Sequence, residues 1–520
     1  VQDGELSVAQ PRAAHLWRPS RTWPSTAVFL ALCALAFVLR FVALTGHHAP
    51  PTIDAGNWLA YGHALLGEHI RSSTIVYPPL VPLLVSGATW LFGATTGVSL
   101  VAAACAVAPG LGAFVTARSA AGRWVSTLVG GLLLFVASTG EAAAWGGFPQ
   151  LIGLGLLPLF VLAVDRWLRT ALPSRAVVAG ALLMCIAATS DIITGAAVVS
   201  AGAVVALRFT VCRTRSDSPV SLTVWVRGLL GLLVPCITFV PLYMRLVEAV
   251  FTSRGSEPSG ARFALSDLPS HVDFLYRDFT SFWRAALIVT VLTPIFLADR
   301  RRQPLWVVST SLVCSSAAIA VVLREDRFLY ILPTAIVLAL ATWFEELARH
   351  RDRFFARVRT GCFVVLIAAL GVQVVTGMRL FGAQRRYYMI LDPGIVSAIR
   401  WVDRNTPRSA LVAVPPIRNA PAGWWIEGLG HRESLLGSPL EWLNYPDERR
   451  RALLANAIFS QQFPDTSTLA LAAHDGVSLL LLPRSSDVLD FDQIDRFIRD
   501  HPSAVAFKDS TTVVLRAQNG

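Results

Sequence analysis

Lysine is nearly absent from this chain: of its 45 basic residues, all but Lys508 are arginines. Charge of any kind is scarce, at 15% of 520 residues, whereas 54% are apolar and the mean hydropathy is +0.54. So little charge excludes a soluble globule of this length, and a membrane has to be the solvent for most of the chain. The arginine bias fits a high-GC, actinobacterium-like coding preference better than a binding chemistry. The net charge is +11, but the arginines fall mostly in short loops between apolar runs, where the positive-inside rule accounts for them, and this argues against nucleic acid as a partner. Cysteine is also rare. Cys33, Cys105, Cys185, Cys212, Cys236, Cys314 and Cys362 all lie in or beside apolar runs, which excludes a disulfide framework or a Cys-based zinc spacing. Gly-rich phosphate loops, a Ser-His-Asp order, tandem repeats and low-complexity linkers are absent as well.

What is present is a series of apolar runs long enough to cross about 30 Å of hydrocarbon. They cover residues 26–45, 98–117, 124–139, 150–168, 176–193, 195–211, 228–247, 282–298, 304–323, 328–347 and 360–378, which predicts a polytopic α-helical membrane protein of about eleven spans. The polar start (1–25), with Arg12, Arg18 and Arg21, leads into a full-length span that should remain as an anchor. A shorter run from Pro79 to Phe92 begins with Pro78-Pro79 and reads as a helix lying in the interface. With the N-terminus inside, the inner loops collect the arginines of 118–123, 166–175, 208–227, 300–302 and 349–359. The membrane domain then spans 26–379, with outer loops at 47–97 and 248–281. The remainder, 380–520, spreads its charges evenly and predicts an α/β domain on the outer side. Helices are expected over 395–404, 447–459 and 492–499, and strands over 410–414, 477–482 and 511–515.

The first outer loop is the most informative stretch. Asp54 follows Pro50-Pro51-Thr52-Ile53 and precedes an amphipathic segment, Gly56 to His69, after which comes Tyr77-Pro78-Pro79-Leu80. A carboxylate at the membrane surface serves as a general base toward a hydroxyl, and an aspartate before a helix serves equally well as its N-cap. Glu141 and Asp191 stand at the same outer level; Glu141 reads either as a site residue or as a water-facing interfacial residue, and Asp191 either as a site residue or as a cap. Arg324 and Arg327, in Leu323-Arg324-Glu325-Asp326-Arg327-Phe328, sit on the side of the membrane that arginine avoids. Their forks suit phosphate oxygens, and a local ion pair with Glu325 or Asp326 is compatible with that role. In the outer domain, Trp424 and Trp425 lie beside Glu427 and His431, a pattern for stacking on sugar rings or for anchoring and packing at the interface.

This pattern resembles the GT-C superfamily of membrane glycosyltransferases, which includes protein mannosyltransferases, aminoarabinose transferases and mycobacterial arabinofuranosyl and mannosyl transferases. Its members carry an early acidic residue in a long first outer loop, two juxtamembrane helices and often a Tyr-Pro-Pro-Leu-like start to the second. Here Asp54, Gly56 to His69 and Tyr77 to Leu80 match these features. The resemblance implies transfer of a sugar from a polyprenyl-phosphate carrier to a glycan, lipid or protein acceptor on the outer face, with inversion. It implies Asp54 and Glu141 as catalytic carboxylates and Arg327 with Arg324 on the donor phosphate; beside it, Tyr77, Trp424, Trp425, Glu427 and His431 are the candidates for contact with the acceptor. Many relatives carry a pair of acidic residues where this chain has Asp54 alone, so a divalent metal (Mg, Mn or Ca) is an open expectation. Two other functions compete. A lipid or polymer transporter would line its spans with charge, whereas here charges gather at span ends; an inert scaffold would use the outer domain as a binding surface.

Overall fold

The computed structural model describes residues 23–46, 49–68, 77–212, 281–297, 303–318, 330–350, 352–416, 422–437, 446–460, 463–485 and 489–517, with isolated positions between 226 and 244. The membrane part contains α1 (Trp23–Thr45), α2 (Ala55–Leu65), α3 (Leu80–Phe92), α4 (Ala94–Cys105), α5 (Ala108–Arg118), α6 (Arg123–Leu134), α7 (Ala137–Trp145), α8 (Phe148–Thr170), α9 (Pro173–Thr189) and α10 (Asp191–Cys212). After these come α11 (Ser281–Phe296), α12 (Pro304–Ala318), α13 (Leu332–Arg349) and α14 (Arg353–Tyr388). Among the described residues, five helical stretches are long and apolar enough to cross a membrane, or six if the bent pair α6–α7 is one span. Val42 on α1 is 62% exposed and Ile295 on α11 is 69% exposed, outward-facing apolar side chains of the kind that hydrocarbon covers. α3, α9, α11 and α12 are apolar but shorter. The span expected over 228–247 lies largely outside the described residues, and the loop 248–281 almost entirely so.

Helices pack in the membrane through small residues because lipid tails supply no hydrophobic drive between them. At the crossing of α5 and α8 a Cβ on Gly112 would run into the carbonyl of Gly155. At the end of α8 expected to face inward, Asp165 is fully buried between two cations: Arg208 Nε donates to it at 2.7 Å and Arg169 Nη2 stands 2.9 Å away.

The apolar run 124–139, expected to be one span, is broken. α6 ends at Leu134, and α7 starts at Ala137 at an angle of 44°. A break inside a bundle orphans carbonyls, which need donors from elsewhere. Arg40, buried in α1, donates to the Leu134 carbonyl. Gln373 Nε2 donates to Phe135 O at 2.9 Å while its own oxygen accepts from the Trp283 indole at 3.0 Å. Both Gln373 and Phe381, which meets Arg40 with its ring centroid 5.8 Å away, belong to α14. That helix has 36 residues and runs without interruption past Leu380 to Tyr388.

Beyond it the chain forms α15 (Pro393–Asn405), β1 (Leu411–Ala413), α16 (Ala422–Gly430), β2 (Glu433–Ser434), α17 (Pro446–Ile458), α18 (Thr466–His474), β3 (Val477–Pro483), α19 (Phe491–Asp500), β4 (Val505–Lys508) and β5 (Thr512–Arg516). The strands make one mixed sheet in the order β2-β1-β3-β5-β4, with β1 parallel to β2 and β3, and β5 antiparallel to β3 and β4. β3 is buried on both faces, as its unbroken apolar run predicts. Alternate side chains face opposite ways. Leu480 and Leu482 meet Ala455 and Ile458 of α17 and Ile494 of α19, whereas Leu479 and Leu481 join a cluster that continues through Trp425, Trp58, Val98 and Phe148 into the membrane part.

Candidate active site between the bundle and the C-terminal domain

α2 begins in a strained turn. Thr52 has φ 79°, an outlier for a β-branched residue that costs on the order of 1–3 kcal/mol, and its hydroxyl accepts from the Ala55 N–H at 3.2 Å. Asp54 directly precedes α2 but makes no side-chain capping bond. The cap expected as one role of Asp54 therefore falls to Thr52.

The C-terminal end of α7 holds Asp54 in place. The Asp54 N–H donates to the Trp145 carbonyl at 3.0 Å, and the Trp58 indole donates to the Gly146 carbonyl at 2.7 Å. Gly146 closes α7 with φ 105°, and a Cβ there would come within 2.9 Å of the Asp54 Cβ. Glycine is required both by the backbone conformation and by the close approach. One turn back on α7, Glu141 accepts a hydrogen bond from the Tyr388 hydroxyl at 3.0 Å. Gln384 Nε2 donates to Ala137 O at 3.4 Å, and Arg385 donates to Ala43 O at the end of α1. Two elements far apart in sequence, the start of α2 and α7 with Glu141, are thus tied together and clamped by the end of α14.

Asp191 is placed differently: its carboxylate accepts from the Ile192 N–H at 2.8 Å, at the start of α10. Arg324 and Arg327 lie outside the described residues, as do Glu325 and Asp326. Tyr330, shortly after them, packs on the cluster that contains Ala142, Ala143 and Phe148.

The residues expected to meet an acceptor divide into two groups. Tyr77 belongs to an aromatic group on the first loop, 4.6 Å from Trp58 and 5.8 Å from Tyr61 between ring centroids. Trp425 and Glu427 are 0% exposed. The Trp425 indole lies flat on Gly56 of α2, where a Cβ would meet it at 2.8 Å. The Trp425 side chain fills the contact between α16 and α2, and in this structure neither it nor Glu427 presents an exposed face. Trp424 is half-buried. His431, just past α16 with φ 47°, stacks on His63 of α2 with centroids 4.9 Å apart and planes 13° apart. Burial pushes the His63 imidazole below its usual value; Glu68 opposes this shift and His431 adds to it. His63, Glu68 and His431 bring their ligand atoms within 4.8 Å of one another, the one such group of three or more among the described residues, and it includes neither Asp54 nor Glu141. His63, Tyr388 and Gln373 carry no local sequence signal; their roles depend on partners distant in the chain.

A helix bundle with a small mixed sheet domain packed on one end is a fold that solved structures share. No protein-family model matches the chain, and no curated protein matches its sequence. ArnT from Cupriavidus metallidurans bound to undecaprenyl phosphate aligns over 95% of this chain and 99% of its own, at TM-score 0.54 and 13% identity. The oligosaccharyltransferase of Archaeoglobus fulgidus in its apo form aligns over 89% of this chain and 70% of its own, at TM-score 0.54 and 16% identity. The arabinofuranosyltransferase AftD from mycobacteria aligns over 88% of this chain but only 37% of its own, at TM-score 0.52 and 14% identity. All three are GT-C superfamily glycosyltransferases, and the chain has the GT-C fold. At these identities the likeness is one of fold.

Proposed function

We propose that the chain is a membrane glycosyltransferase that moves a sugar from a polyprenyl-phosphate donor to a cell-envelope glycan, lipid or protein acceptor on the outer face, with inversion. The observation that carries this reading is Asp54: a half-buried carboxylate with no capping duty, locked to the end of the helix that bears Glu141. Among proteins of the same fold, ArnT has been solved with undecaprenyl phosphate and the archaeal oligosaccharyltransferase with dolichol-phosphate.

In the proposed reaction Asp54 accepts the proton of the acceptor hydroxyl as that oxygen attacks the anomeric carbon from the side opposite the phosphate. The bond between that carbon and the phosphate oxygen breaks, and the lipid phosphate departs with the electron pair. Arg327, assisted by Arg324, meets the charge that develops on it, a preorganised electrostatic contribution that usually dominates. Glu141, oriented by Tyr388, lines the acceptor side. Asp54 and Glu141 belong to no group of three or more His, Cys, Asp or Glu ligands among the described residues, and no step is routed through a metal.

Asp54→Asn keeps the side-chain size but removes the proton acceptor. Sugar transfer from a polyprenyl-phosphate donor by the purified enzyme should fall by roughly 10²-fold or more, with binding of the lipid donor retained. Full activity of this variant would remove Asp54 as the base, and no turnover by the unaltered chain with any such donor would favour an inert scaffold. We further propose about eleven spans, an inner N-terminus and an outer domain after Leu380. A cysteine placed on the exposed face of α17 should react with an impermeant maleimide only from the outside; labelling from the cytoplasmic face overturns the topology.

A further inference from the structure

The junction between α2 and the outer domain contains a second cluster of chemistry that the proposed transfer reaction does not use. His63 lies on α2, Glu68 shortly after it, and His431 at the end of α16, so the group bridges the first loop and the C-terminal domain. The three side chains form one wall of a cavity of about 380 Å³ whose other wall includes Ser86, Thr89 and Trp90 of α3. His63 Nδ1 stands 3.7 Å from Glu68 Oε2 and has no hydrogen-bond partner although it is buried. A ring nitrogen shielded from solvent and without a hydrogen bond, facing a carboxylate and a second imidazole, offers donor atoms to a cation placed between them.

We propose that His63, Glu68 and His431 bind one divalent transition-metal ion of the zinc type, which fastens α2 to the outer domain. Two imidazoles and one carboxylate form a nitrogen-rich donor set that suits zinc, whereas calcium and magnesium take oxygen ligands. Zinc–nitrogen bonds of about 2.0–2.1 Å at tetrahedral angles put ligand atoms roughly 3.4 Å apart. The observed separations, up to 4.8 Å, close to that value by a rotamer change of Glu68, which is 43% exposed and free to move. His431 is already oriented for this work. Its Nδ1 stands 3.4 Å from Asp403 Oδ1, the carboxylate–histidine pairing that fixes the tautomer and leaves Nε2 for a metal. Asp403 is itself held by Arg432 Nη1 at 3.4 Å. A water completes the fourth position from the cavity side.

The stacked rings account for the strained backbone at His431: φ of 47° turns the imidazole back over α2. An asparagine tolerates that conformation, which makes His431→Asn a better test than alanine. The test is zinc binding by the full-length protein in detergent, without a polyhistidine tag, followed by calorimetry and by metal content after dialysis. The unaltered chain should hold one zinc ion per molecule, and zinc should raise its thermal transition by several degrees. His63→Ala, Glu68→Gln and His431→Asn should each weaken zinc binding by on the order of 10²-fold and abolish the thermal shift, while Asp403→Asn should weaken it roughly 10-fold. Size-exclusion profiles matching the unaltered chain establish that each variant is folded. Absence of zinc binding in the unaltered chain, or one zinc bound with unchanged affinity in both His63→Ala and His431→Asn, overturns the proposal.

Discussion

The two parts of the molecule start their helices differently. In the outer domain aspartate does it: Asp392 accepts from the N–H groups of Gly394 and Ile395, Asp465 forms a capping box with Thr468, and Asp490 accepts from Asp492 and Gln493. From α3 to α9, and again at α13 and α14, the residue before the helix makes no side-chain capping bond, and at α2 the threonine Thr52 rather than Asp54 receives one. Four of these helices instead carry proline in the first turn, at Pro109, Pro149, Pro173 and Pro333. Proline has no N–H to satisfy, an advantage where water is scarce. Asp165 in the membrane part is committed to tertiary partners, and Asp54, placed at a helix start without capping it, stands out against Asp392, Asp465 and Asp490.

The sharpest way to break this contrast is at Asp165. Replacing it with asparagine leaves the buried Arg208 without its carboxylate, a change that costs about 3–5 kcal/mol. Thermal unfolding in detergent should show this as a large drop in the transition, and the paired replacement of Asp165 and Arg208 by leucine and methionine should recover most of it. An Asp165→Asn variant as stable as the parent would mean that the ion pair contributes nothing. The effect at the outer-domain caps should be smaller. Asp465→Ala removes one capping box and should cost about 1 kcal/mol, without altering sugar transfer. The Thr468 N–H holds the Asp465 carboxylate below its usual value of 3.8, so its contribution is present above that pH and is lost as the pH falls through the lower folded value. Stability measured between neutral pH and about pH 3 should therefore lose part of its acid slope in Asp465→Ala; an identical slope would assign it to other carboxylates.

Much of this architecture was legible in local pattern. The apolar runs that became α1, α8 and α10 needed only length, and the buried strand β3 and the charged helix α17 lie within a residue or two of where the sequence puts them. The break between α6 and α7 was not legible. Leu134-Phe135-Val136-Ala137 contains neither proline nor glycine, and the bend exists because Arg40 and Gln373 arrive from other helices to satisfy its carbonyls. The same holds at the site. Asp54 and Glu141 had sequence context, but Tyr388 and His63 acquire their roles only from what they meet across the fold. Trp425 showed its aromatic character without showing which way it faced, and the seat on Gly56 decided that.

α14, at 36 residues, measures roughly 54 Å against a hydrocarbon core of about 30 Å. One continuous helix passes the break at Gln373, meets Glu141 through Tyr388, and ends where the C-terminal domain begins. A continuous bar does not tilt at one end only. A rotation of the C-terminal domain relative to the bundle would therefore have to bend this helix or shift Tyr388 along Glu141.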